Sequence, residues 1–340
     1  MFTTTHLKLV VAAASAAATL ATAAPAHASY GWPLKPFHQQ HPVRGYFGDP
    51  RIGGHDNESK SFHFGIDISA PNGTAVYATL DGVASRNSRH PDVVMVSNGA
   101  GTVHEYWHVI PAVAPGSRVV AYRTVVGHIE KPWAHVHFSE AEGGLYVNPL
   151  RVGALAPYTD DTRPTIHTIS FERDGRGVGS RVSGTIEIVT EAWDTTPLEV
   201  PAPWSDLPVD PALDEWRLEG HRRLASSSWH VAADFRYALP TLAYSSLYTT
   251  WTRQNHAHRL GRYRYALARG LDTRSLPDGR YRVVVLVRDT RGNERIAHRD
   301  LTVANGVSAR AGKSQALFGR GVLAHPEANV VGDTGADKTL

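Results

Sequence analysis

His135-Val136-His137-Phe138 reads as a β-strand. Side chains two residues apart on a strand project to one face, so the two imidazoles stand side by side. Val136 and Phe138 then face the other way, into a core. Outward from this stretch, short apolar runs alternate with Gly, Asn and Pro turns, at Thr74 to Ala78, Val93 to Ser97 and Val103 to Ile110. No amphipathic helix of more than two turns is visible between Tyr30 and about Pro157. The chain is predicted to be mainly β, opening with an antiparallel β-sheet domain over 29–157.

A polar stretch over 158–164 (Tyr-Thr-Asp-Asp-Thr-Arg-Pro) reads as a linker. Beyond it, Thr165 to Phe171, Gly184 to Val189 and Tyr281 to Val287 are strand-like. Asp289-Thr290-Arg291-Gly292-Asn293 turns the last of these into a partner strand ending near Val303. The pattern suits an immunoglobulin-like β-sandwich over 165–305, interrupted by a Pro-, Ser- and Trp-rich insert at 197–270 that the pattern does not place. Residues 306–340 are rich in Gly, Ala and polar residues and read as a disordered tail.

The first 28 residues have the form of an export signal. Lys8 precedes an apolar, Ala-rich run from Leu9 to Ala24, and Ala26-His27-Ala28 offers a cleavage site before Ser29. A retained anchor is the competing reading, opposed by the short apolar run and by Pro25. No later stretch could span a bilayer, so no stable membrane insertion is expected after cleavage. The expected location is secreted, extracellular or cell-wall associated. With 35 basic and 32 acidic residues, the net charge of +3 is too even to indicate nucleic acid as a partner. The absence of cysteine excludes disulfides, thiolate metal sites and cysteine nucleophiles. A metal must be held by His, Asp or Glu, and the chain has 19 histidines.

His63-Phe64-Gly65-Ile66-Asp67 supplies an imidazole and a carboxylate at H-x-x-x-D spacing. A hydrolytic zinc site needs about three protein ligands and an open position for water. His63, Asp67 and one histidine of the H-x-H pair make three, and the other histidine of the pair can reach a substrate or its water. His256-Ala257-His258 has no such companion motif and reads as structural.

Together these segments resemble the lysostaphin-type (LytM-type) zinc metalloendopeptidases. Gly45 to Arg51 is similar to that family's opening segment. His63 to Pro71 and Gly73 to Ala78 follow its first metal motif and next strand, and Asp81-Gly82-Val83 its next turn. Tyr106-Trp107-His108-Val109 resembles its Tyr-x-His-Leu segment, His135 to Phe138 its final motif, and Asn148-Pro149 the domain end. The resemblance covers roughly residues 30 to 152. It implies one zinc ion held by His63, Asp67 and His137, catalytic roles for His108 and His135 in either order, and peptidoglycan peptides as substrate. Tyr106, two residues from His108, is expected to share its strand face and line the groove. Two departures stand out. Glu130-Lys131-Pro132-Trp133 replaces a Gly/Thr-rich run, so the loop over the site must differ. Ser139 stands where an acidic residue often follows the phenylalanine, a change that could disturb orientation of the ligands. The stretch Arg44 to Asn57 is a candidate cover for the groove.

Two other readings compete. Family members that act as regulators or binders of wall hydrolases usually lack some metal ligands, and all five site residues are present here. His104-Glu105-Tyr106-Trp107-His108 also has the H-E-x-x-H form of zincin-type proteases, which requires a helix. Nearby Gly99, Gly101, Pro111 and Pro115, with β-branched Val103, Val109 and Ile110, favour a strand instead. In that strand His104 is a neighbour of the site and not a ligand.

Overall fold

A computed structural model describes residues 29–52, 60–220, 228–241, 243–311 and 328–332. The expected export signal lies outside the described residues. Strands dominate throughout, and the fold is mainly β as expected. Among the described residues, α-helix is confined to Tyr244–Leu247, and no helix is long and apolar enough to cross a membrane.

The first domain is built on an eight-stranded sheet. Its order is Val43–Gly45, Ile66–Ser69, His135–Glu142, Thr102–Trp107, Val94–Ser97, Gly82–Arg86 and Arg118–Val119, with Leu145–Val147 also paired to His135–Glu142. Every pairing is antiparallel. Ile66, Ile68, Val136, Phe138, Tyr106, Val94 and Val96 are fully buried and form one core face. The alternation that buries Val136 and Phe138 leaves His135 and His137 on the opposite face.

The second domain is a sandwich of two sheets. One has the order Arg176–Val178, Thr165–Arg173, Thr185–Trp193, Arg264–Asp272. The other runs Arg181–Val182, Glu294–Val303, Gly279–Arg288, Leu213–Gly220, His230–Asp234. Arg181–Val182 pairs parallel with Glu294–Val303; the remaining pairs are antiparallel. The insert that the sequence pattern could not place supplies Leu213–Gly220, His230–Asp234, the helix Tyr244–Leu247 and most of Arg264–Asp272, plus irregular chain that reaches the first domain. The described part of 306–340 is an antiparallel pair, Val307–Ala311 with Ala328–Gly332.

The two domains are tightly docked. Phe62 packs its ring against Phe235, Tyr244 and Tyr248. Asn148 donates its side-chain amide to the Phe235 carbonyl (2.9 Å) and its backbone N–H to the Tyr237 carbonyl (2.7 Å). Gly48 has φ 100°, and a Cβ there would lie 2.6 Å from the Phe235 ring, so glycine is needed on both counts.

Candidate metal centre

Register places the candidate ligands. Asp67 and His137 are directly opposed on neighbouring antiparallel strands, and Trp107 opposes His137 on the next strand. Residues so opposed share a face with Cβ atoms about 5 Å apart. His63 arrives from the turn just before Ile66–Ser69. This close approach depends on Gly65, where a Cβ would lie 2.4 Å from the Phe138 carbonyl oxygen and 2.8 Å from His137 Nε2. Gly45 plays the same part beside the carboxylate, since its Cβ would lie 2.5 Å from Asp67 Oδ2.

Three donor atoms meet at one point. His63 Nε2 is 2.7 Å from His137 Nδ1, and each is 3.1 Å from Asp67 Oδ1. For ligands about 2.0–2.1 Å from a tetrahedral zinc, ligand–ligand edges are about 3.3 Å. The observed spacings are close to that, and two bare nitrogens facing each other at 2.7 Å fit a shared cation. Each ligand is held from behind. His63 Nδ1 donates to the Tyr46 carbonyl (2.8 Å), and His137 Nε2 lies 2.8 Å from Ser139 Oγ. Arg51 Nη2 donates to Asp67 Oδ2 (2.8 Å), leaving Oδ1 to the imidazoles. The departure at Ser139 therefore does not leave His137 unsupported. Glu140 turns to the other face, where Arg151 holds it bidentately at 2.7 and 2.8 Å.

The electrostatics suit neutral imidazoles around an anion. Burial, reinforced by the Arg51 charge, pushes His63 down to about 3. Burial likewise lowers His137. Burial would raise the Asp67 carboxyl, but His63, His135 and Arg51 outweigh it and hold it well below the usual carboxylate range. Metal binding requires this protonation pattern.

His135 and His108 flank the cluster, with ring centroids 4.9 Å apart. His135 Nε2 is 3.3 Å from Asp67 Oδ1, and its Nδ1 is 2.6 Å from Arg44 Nη2. His108 stacks on Trp133 at 4.0 Å. Its Nδ1 is buried without a well-aligned hydrogen bond, and the nearby carboxylate oxygen is Asp92 Oδ2 at 3.3 Å. Burial, then the neighbouring histidines, press the His108 imidazole far below its ordinary range.

His108 also corrects one expectation. Tyr106 does not line the groove: it is fully buried in the core, its hydroxyl bonded to Thr79. His108 has φ 63° and ends the strand. That left-handed residue, unusual for a non-glycine, breaks the alternation. His108 therefore lines the groove with Trp107, and Tyr106 does not. The H-E-x-x-H stretch is strand, so its histidines do not share a helix face. His104 turns inward to Thr79 Oγ1 (2.7 Å). Glu105 accepts a hydrogen bond from Trp107 Nε1 (2.8 Å).

The site lies in a groove of about 480 Å³, within the range of small-ligand sites. Trp107, Trp133 and Phe64 provide apolar walls. Arg44 and Arg51, from the stretch expected to cover the groove, line it, while 53–59 lie outside the described residues. Trp204, Gln254 and Asn255 reach in from the second domain. Trp204 packs under the Arg44 guanidinium, 4.3 Å from its ring centroid. Sequence reasoning missed these three; only the Trp-rich character of the insert hinted at them.

Residues 61–149 match the family model described as Peptidase family M23. Among solved structures, the chain is similar to the SpoIIIAH and SpoIIQ complex (21% identity, 36% of this chain and 98% of that chain, TM-score 0.29). It is also similar to a zinc containing peptidase from Vibrio cholerae (20% identity, 36% of this chain and 39% of that chain, TM-score 0.29). A third is LytU (22% identity, 33% of this chain and 84% of that chain, TM-score 0.27). Comparison with curated proteins gives no match.

Proposed function

We propose that the protein, whose residues 61–149 match the model of peptidase family M23, is a secreted zinc-dependent endopeptidase that hydrolyses peptide bonds of bacterial peptidoglycan. The observation that carries this reading is the convergence of His63 Nε2, His137 Nδ1 and Asp67 Oδ1 beside two further histidines in an open groove. Zinc held by these three would supply Lewis acidity, lowering the pKa of a coordinated water and polarising a peptide carbonyl.

The protein's own groups divide the proton work. Arg44 Nη2 at 2.6 Å and the Trp133 carbonyl oxygen at 2.8 Å both hold His135 at Nδ1 and turn its Nε2 toward Asp67 and the groove. With the ring's proton on Nε2, His135 would donate toward the developing oxyanion. His108, with Nδ1 turned to Asp92, keeps Nε2 bare as the general base and later returns the proton to the leaving amine. Trp133 holds the His108 ring flat by stacking. Trp204, Gln254 and Asn255 give the substrate chain a second wall, so the sandwich takes part in peptide positioning.

The test is digestion of purified sacculi and of defined muropeptides, with the products weighed. Clearing is expected, abolished by a chelator and restored by stoichiometric zinc. Clearing that persists in metal-free protein would refute the reading. Zinc binding without any cleavage would point instead to a regulator of other wall hydrolases on the same scaffold.

A further inference from the structure

Asp160, Asp194 and Asp289 do not line the groove, and one carboxylate oxygen from each lies within 4.8 Å of the other two. They come from three elements. Asp160 sits in the connection between the domains. Asp194 directly follows Thr185–Trp193 of one sheet, and Asp289 directly follows Gly279–Arg288 of the other. Their exposures are only 6%, 1% and 4%. Like charges that close and out of water repel strongly. Arg291 borders them, but its guanidinium donates to the carbonyls of Tyr158 and Leu150 at 3.0 and 2.9 Å.

A second observation points to a ligand. Asp160 and Asp289 have both oxygens engaged by donors from Tyr158, Thr162, Arg291 and Asn293. Asp194 does not. Its Oδ1 accepts from the Thr195 amide (2.8 Å), while Oδ2 is fully enclosed with no hydrogen-bond partner. With Asp289, though not Asp160, it borders a small cavity of about 10 Å³, roughly the space of one water or one ion.

We propose that Asp160, Asp194 and Asp289 bind one Ca²⁺ ion that pins the interdomain connection to both sheets of the sandwich. The donors are all hard oxygens, which select Ca²⁺, Mg²⁺ or Mn²⁺ over zinc. Mg²⁺ holds its waters and demands strict octahedral geometry, whereas Ca²⁺ accepts irregular sets of carboxylates and carbonyls. An enclosed site made from three separate chain segments suits the latter.

Equilibrium dialysis of the zinc-loaded full chain against ⁴⁵Ca²⁺, paired with thermal melts, tests this. One Ca²⁺ per chain is expected at millimolar free ion, with a rise in melting temperature of about 5 °C. Asp194→Asn should lose both the bound ion and the rise, and Asp160→Asn serves as a second variant should the first fail to fold. His137→Ala should keep both, so this result stands or falls independently of the peptidase reading. No bound Ca²⁺ in the wild-type protein, a rise that survives Asp194→Asn, or a larger rise with Mg²⁺ would overturn the assignment.

Discussion

The histidine-rich cluster of the first domain and the carboxylate cluster where the interdomain connection meets the second each bring together three groups that could hold a metal ion, by different means. Asp67 and His137 are opposed on paired strands of one sheet, and His63 joins them from the turn before Ile66–Ser69. Their donors are mainly nitrogen, and a groove runs past them. Asp160, Asp194 and Asp289 close the end of a sandwich, with only oxygen donors and almost no exposure. Nitrogen donors with an open side suit a borderline metal that must meet substrate, whereas buried oxygens suit a hard ion that only braces. Donor type and access, more than the number of ligands, separate a reactive centre from a structural one.

The largest effect should come from removing a ligand of the open cluster. His137→Ala takes away the nitrogen opposed to Asp67, and muropeptide cleavage should fall by more than about 10³-fold. Its thermal melt should fall as well, because the buried imidazole packs against Phe64 and pairs with the buried Ser139 hydroxyl, which alanine leaves without a partner. Retained cleavage would break the contrast, since the groove cluster would then be no more reactive than the braced one. A smaller effect is expected behind the same ligand. Ser139 Oγ is the partner of His137 Nε2 and is fully buried. Ser139→Ala should weaken zinc affinity about 10–100-fold, read by competition with a chromogenic chelator, with the fold intact. Unchanged affinity would mean that His137 is oriented by packing alone.

The open cluster was legible in the sequence and the closed one was not, for physical reasons. Strand alternation states which side chains share a face, so His135 and His137 could be read together and Val136 and Phe138 sent to the core. His63 and Asp67 were picked out by occurring together with that pair, in the order of the family they resemble. The carboxylates of Asp160, Asp194 and Asp289 are juxtaposed only by packing across two sheets, which no local period encodes. Trp204, Gln254 and Asn255 escaped notice for a related reason: they sit on irregular chain of the insert. The misplacement of Tyr106 has a sharper cause. Alternation assumes that every residue keeps an extended backbone, and the positive φ of His108 violates that at the residue where function needs it.

The smallest effect is expected at Glu105, and it decides how H-E-x-x-H is to be read. On a helix that glutamate would activate water, and its loss as a base would cost cleavage several orders of magnitude. Here it is a strand residue opposed to Ser139, largely buried, with burial raising its carboxyl. Its oxygen accepts the Trp107 indole N–H, and the Trp107 ring lies 5.3 Å from Phe64 and 5.9 Å from His137 along the groove wall. Glutamine keeps an oxygen that can accept the same indole hydrogen bond while losing only the charge. Glu105→Gln should therefore hold kcat/KM within about threefold of wild type. Glu105→Leu, which removes the acceptor, should raise KM more than it lowers kcat as the Trp107 wall loosens. A collapse of kcat in the glutamine variant would reassign the base to Glu105, and with it the contrast between an open, histidine-driven centre and a closed, carboxylate-held one.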